Sequence, residues 1–118
     1  MAEPITIRVL DIVGSNICVS ADDGQRLYDK IKPLLDQNLK VILSFQGVET
    51  LISTFLNAAI GQLYGVFPHE KLRDDLTVTG LEVDDIEALD LVVKNAKAYF
   101  SRPREYDQAW KDEVGDEE

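Results

Sequence analysis

Ser53 and Thr54 are the side chains whose type and position best fit chemistry. They lie in the run VILSFQGVETLISTFLNAAIGQLYG, residues 41–65, which reads as a buried strand, a tight turn and an amphipathic helix opening on the two hydroxyls. The first N–H groups of a helix have no partner inside it and stand at the positive end of its dipole. A hydroxyl there has two uses. It caps the helix by accepting one of those N–H groups, worth about 1 kcal/mol, or it offers an oxygen where a phosphate is electrostatically favoured. Phosphorylation would add roughly −1.5 to −2 charges. The helix would tolerate that charge, and a partner reading an apolar surface would not. Asn57, four residues beyond Ser53, shares its helical face. It reads either as a solvated polar residue or as part of the same surface.

The remaining reactive side chains do not form a constellation. His69 is the single histidine and Cys18 the single cysteine. A general base needs a nucleophile and an orienting group, and no G-x-S-x-G motif is present. Cys18, in an apolar context, reads as a small core residue. The acidic doublets at Asp22 and Asp23, Asp74 and Asp75, and Asp84 and Asp85 lack the D-x-D-x-D-G spacing of a calcium loop. Two of the doublets fall at expected helix starts. Gly14 and Gly24 are not followed by the Lys and Ser/Thr of a phosphate loop. A non-enzymatic protein with no cofactor and no metal is therefore expected.

Composition narrows the class further. A chain of 118 residues with 45% hydrophobic content fits one domain. No run of about 18 apolar residues predicts a membrane span, and the start MAEPITIRV carries no secretion signal. The lone cysteine suits a reducing compartment, so a cytoplasmic location is expected. The net charge is −10, of which −8 falls on residues 66–118. That balance argues against nucleic acid and anionic membranes as partners. It leaves a solubility role or a basic protein partner.

The elements that must position the hydroxyls follow from periodicity. Ile5, Ile7 and Val9 alternate with Thr6, Arg8 and Leu10 as a first strand. Gly14, Ser15 and Asn16 supply a turn, and Ile17–Val19 a second strand, read together as an antiparallel hairpin. Ser20 to Asp23 resembles a capping box ahead of Leu27, Tyr28, Ile31, Leu34 and Leu35 on one helical face. Pro33 is expected to kink or end that helix and Asn38 to stop it. Val41, Ile42, Leu43 and Phe45 form a central strand, and Gly47 marks the turn. Phe55, Leu56, Ala59, Ile60, Leu63 and Tyr64 make the next helix, stopped by Gly65. A helical turn over 68–73, a strand at Leu76 and Val78, and a helix from Val83 complete the series. That last helix has Ile86, Leu89, Val93, Ala96 and Phe100 on its inner face and stops at Pro103. The predicted order is β-β-α-β-α-(α)-β-α. It gives an α/β fold with a mixed four-stranded sheet packed by about four helices over residues 1–100. Residues 101–118 form an acidic tail containing Trp110, expected to be disordered.

Three segments carry a family resemblance: residues 23–28 (DGQRLY), 41–48 (VILSFQGV) and 52–61 (ISTFLNAAIG). Together, within residues 5–100, they resemble the STAS domains of sulfate transporters and anti-sigma factor antagonists. They are closer still to the STAS-like group of bacterial proteins. In the antagonists the matching segment holds an Asp, two Ser and a Gly at a helix start. The first Ser is phosphorylated by a histidine-kinase-like ATPase. Those serines fall here on Ser53 and Thr54, while Ile52 replaces the Asp and Phe55 the Gly. The resemblance implies a regulatory protein-interaction module working by partner switching with such an ATPase. Ser53 and Thr54 are the candidate phosphoacceptors, and Gly47, Ile52, Ser53, Thr54, Phe55 and Asn57 the candidate partner-binding residues. The alternative is a domain that binds a small ligand, a nucleotide or lipid, beneath the same helix start. A homodimer is left open.

Overall fold

The computed structural model describes residues 3–101. Three parallel strands form the main sheet: β1 (Ile5–Arg8), β3 (Val41–Ser44) and β5 (Leu76–Thr79), with β3 in the centre. Register runs Ile7–Leu43–Val78 across the sheet. The strand order follows chain order in one direction. Right-handed crossovers, the rule for parallel strands, then send the connecting helices to one face. Burial agrees. Ile7, Val41 and Leu43 are buried on the helix side, while Thr6, Arg8, Thr77 and Thr79 on the other side are exposed.

Helix α2 (Ala21–Asp36) is the longest element of the first crossover. The Ser20 hydroxyl caps it by accepting the Asp23 N–H at 3.0 Å, as its sequence predicts. Leu27, Ile31 and Leu35, four apart, are all fully buried. Pro33 does not stop the helix: it sits exposed in the last turn, so a single N–H is missing there while the Gln37 N–H still donates to Pro33 O at 3.3 Å. The stop is Asn38 at φ +63. Leu39 N–H donates to Leu34 O at 3.1 Å and Asn38 N–H to Leu35 O at 3.0 Å, a complete Schellman motif with Asn in place of Gly.

Three expectations need correction. The single mixed four-stranded sheet is instead a three-stranded parallel sheet and a separate two-stranded parallel ribbon, β2 (Ile17–Cys18) with β4 (Thr50–Leu51). The first two strands are not a hairpin. Val9 does not continue β1 but opens a single-turn helix, α1 (Val9–Val13), in which Val9 and Val13 are both buried, ended by Gly14 at φ +78. That inserted turn sends β2 past β1 to pair with β4. The helix after Gly47 is also divided, into α3 (Ser53–Ala59) and a 3-10 segment (Gly61–Gly65). Phe55, Leu56, Ala59, Ile60 and Leu63 are buried all the same.

The remaining helices are α4 (His69–Asp75) and α5 (Val83–Ser101), so the order is β-α-β-α-β-β-α-(3-10)-α-β-α. The inner face of α5 turns on Val92 and Ala96, while Ile86 stays exposed. Pro103, Trp110 and the acidic tail lie outside the described residues. Among the described residues, no helix is long and apolar enough to cross a membrane.

Candidate protein-interaction site

The ribbon β2–β4 sets out the site. Thr50 N–H donates to Asn16 O and Ile52 N–H to Cys18 O, each at 3.2 Å. In a parallel pair, residues level with one another point to the same side, so Ile17 aligns with Thr50 and Cys18 with Leu51. Cys18 is fully buried and Leu51 partly so. The other side therefore carries Ile17, Thr50 and, one step on, Val19 and Ile52. These are exposed: Ile17 49%, Val19 38% and Ile52 41%, with Thr50 also open. A β-branched apolar surface facing solvent is the reverse of what a two-layer fold normally presents.

Ser53 follows Ile52 directly and is exposed, as is Thr54. Neither caps α3. Its N-cap is Ile52, in extended conformation, with no side-chain cap hydrogen bond, so Ser53 and Thr54 are the first two helical residues. The capping use of the hydroxyls is thereby set aside. A residue with helical φ/ψ carries its oxygen past the N–H groups it would have to accept.

The other expected site residues divide. Gly47 is exposed at the corner of a turn closed by Val48 N–H on Phe45 O at 3.0 Å, and its φ of +87 requires glycine. Asn57 is exposed one turn beyond Ser53. Phe55 is corrected. It is 0% exposed, a member of the hydrophobic core, and so offers no side-chain surface to a partner. Its main chain lies close against Gly24 on α2: a Cβ on Gly24 would stand 2.5 Å from the Phe55 carbonyl oxygen.

Asn57 also lines a groove of about 320 Å³ between α3, the 3-10 segment and α5, floored by Gly61 and Ala96 and walled by Phe100. Beside it, Gln62 Nε2 donates to Gln25 Oε1 at 2.9 Å and to Ala58 O at 2.7 Å, tying the 3-10 segment to α2.

The Cys18 thiol is pushed up to about 11 by burial, with Asp23 adding to the shift, which leaves it a protonated core group. His69 is half-buried and edge-on to Tyr64, with ring centroids 5.7 Å apart. Among the described residues no group of His, Cys, Asp and Glu is placed to hold a metal ion.

Ile17 and Val19 are the surface residues that sequence reasoning missed. The signal was present. With Cys18 facing the core, an alternating strand sends both of its neighbours outward.

A family model described as a STAS-like domain of unknown function (DUF4325) matches residues 23–85, more than half of the chain. It spans α2, β3, the ribbon strand β4, α3 and β5, and so takes in Ser53 and Gly24. No curated protein and no solved structure matches the chain.

Proposed function

The chain belongs to the STAS-like domain family, and on that premise we propose that it is a non-enzymatic regulatory module that binds another protein through the surface around Ile52, Ser53, Thr54 and Asn57. The observation that carries this reading is the adjacency of an exposed hydroxyl, Ser53, to an exposed apolar side chain, Ile52. Apolar contact favours the complex. A charge placed at its border opposes it.

The partner in this reading is a histidine-kinase-like ATPase, which also modifies Ser53. The Ser53 Oγ attacks the γ-phosphorus of ATP. The bond from that phosphorus to the bridging oxygen breaks, ADP leaves, and the hydroxyl proton passes to a base on the kinase or to solvent. The phosphoserine stands on the surface, where its charge remains hydrated. The fold persists and the apolar contact is lost. The replacement of an Asp by Ile52 supports the apolar half of this switch, because a hydrocarbon now stands next to the acceptor.

Mixing the purified chain with the histidine-kinase-like ATPase encoded nearest to it, with ATP, tests the reading. A complex without ATP, and one added phosphate that maps to Ser53 and is absent in Ser53→Ala, are expected. The absence of both complex and phosphate overturns it.

The groove beside Asn57 supports a second reading, a small-ligand site of nucleotide or lipid size, although it lies against Gly61 and α5 and not beneath the helix start at Ser53. A thermal shift on titration with such ligands, lost when Gly61→Leu fills the groove, is its test.

A further inference from the structure

The ribbon β2–β4 has a free side as well as an apolar face. The ladder engages Asn16, Cys18, Thr50 and Ile52, and the main-chain groups of Ile17 and Val19 point away from β4. The Ile17 N–H is taken locally by the Ser15 hydroxyl at 3.1 Å. Val19 makes no main-chain hydrogen bond to any described residue. An extended edge with a free N–H, two outward carbonyls and flanking aliphatic side chains is the template for an added strand.

We infer that the outer edge of β2, with Ile17, Val19 and Ile52, receives an extended, basic and alternately apolar segment of a protein partner as a third strand. Charge selects this occupant. The stretch that builds the edge, residues 14–25, and its ribbon partner, residues 49–52, contain Asp22, Asp23 and Glu49 and no lysine or arginine, and the next base along the chain, Arg26, is engaged by Asp23 and the Ile12 carbonyl. Of these acids, Asp23 is paired with Arg26 at 3.2 Å, while Asp22 and Glu49 are exposed with no ion pair among the described residues. A second copy of this chain would bring another −10 of charge to the same acidic edge. Main-chain bonds would give the added strand its affinity. Its apolar side chains would cover Ile17 and Val19, and its basic ones would be drawn by the acidic border that includes the unpaired Asp22.

The inference rests on the reading of the chain as a protein-binding module, and it names what kind of segment that partner presents. It does not need Ser53 to be phosphorylated. The two therefore fail separately. Loss of the added strand leaves modification of Ser53 by the ATPase intact, and an unmodified Ser53 leaves strand addition intact.

The test uses the full chain and short synthetic peptides that alternate lysine with valine. Two twins serve as controls, one with glutamate for lysine and one with N-methylated main-chain amides. Fluorescence anisotropy measures binding, and amide exchange reports on Val19. Binding of the basic peptide with slowed exchange at Val19 is expected, together with at least about a tenfold loss for either twin. The variant Ile17→Lys with Val19→Lys, both at exposed positions, should fold as the parent does and lose binding by a similar factor. Equal binding to that variant, equal binding of the glutamate twin, or no binding of the basic peptide overturns the inference. So does a parent chain that sediments as a dimer which the lysine variant dissociates, since the edge would then belong to a second copy.

Discussion

Gly24 on helix α2 lies directly against the main chain of Phe55 on helix α3. A Cβ on Gly24 would fall 2.5 Å from the Phe55 carbonyl oxygen and 2.8 Å from Ala58 Cβ. The first of these neighbours is backbone and cannot swing aside. Glycine in a helix interior lowers helix propensity by roughly 1 kcal/mol relative to alanine, so the sequence accepts a local loss to bring two helices together. Gly24→Ala should therefore destabilise despite its better propensity, by about 1–3 kcal/mol through overpacking. A thermal melt of the variant checks this, and an unchanged or raised Tm would show that the helices separate freely.

Cys18 makes a prediction about reactivity. Its thiol is raised from 9.0 to about 11, first by burial and then by the negative charge of Asp23. The folded state thus holds the proton through a range in which the unfolded chain releases it. The contribution to stability is complete below the ordinary thiol value and declines as pH rises toward 11. Near neutral pH, alkylation should be slower than for a free thiol by on the order of a hundredfold or more, and denaturant should restore it. Timed alkylation read by intact mass tests both statements.

Much of this fold is legible before any coordinates, and the boundary has a physical cause. Leu27, Tyr28, Ile31, Leu34 and Leu35 recur over a long segment at spacings that a strand would split between two faces, and a helix brings them all to the core. Asn38 tolerates the left-handed conformation that a helix end requires, so the stop is readable too. Val9 and Val13 lie four apart in a segment too short for periodicity to separate strand from helix, and the alternation with Ile5 and Ile7 favours the wrong choice. The strand Thr50–Leu51 has two residues and owes its existence to β2, which no local pattern announces. At the site, exposure of Ser53 follows from the amphipathic pattern of α3. The burial of Phe55 follows from the same pattern, whereas the close approach of its main chain to Gly24, far away in sequence, carries no apolar signal.

Asp75 ties the start of β5 to its neighbours. Its carboxylate accepts Lys71 Nζ at 3.0 Å and Lys40 Nζ at 3.2 Å, and Lys71 also donates to Asn38 Oδ1 at 2.8 Å. The Lys71 hydrogen bond is the main cause that holds the carboxyl below its usual value, with Lys40 adding to it against the effect of burial. A lowered carboxylate stabilises the fold above the ordinary carboxylate range. That stabilisation is lost as pH falls through the lowered value. Asp75→Asn should cost about 1 kcal/mol near neutral pH, below the usual range for charged hydrogen bonds because Lys40 is well exposed. Melts of parent and variant should converge on acidification. A gap that widened with acid would contradict the assignment.

Ser53 separates stability from binding. The hydroxyl is exposed and does not cap α3, so removing it should leave the fold nearly untouched. Ser53→Ala and Ser53→Asp should each unfold within about 0.5 kcal/mol of the parent. The partner ATPase should bind the alanine variant as it binds the parent, and bind the aspartate variant at least about tenfold more weakly, since the new charge borders Ile52. Equal affinity for both variants, measured by titration calorimetry, would exclude a charge-operated contact at this position.

Gly80 completes the argument about what holds the site in place. Two turns leave the sheet at its carboxyl end, at Gly47 after β3 and at Gly80 after β5, with φ of +87 and +82. They support one another directly. A Cβ on Gly80 would stand 2.7 Å from Gln46 N, the residue before Gly47, so the second turn rests on the first. The first turn in turn leads into Thr50, the partner of β2. Gly80→Ala meets two costs at once, a left-handed φ of roughly 1 kcal/mol and contact with backbone that cannot yield. The expected result is a Tm lower by several degrees. Because the displaced turn feeds the ribbon, amide exchange at Thr50 and Ile52 should quicken more than at Leu43 in the centre of the sheet. Uniform acceleration across the chain would mean that the two turns are not mechanically linked.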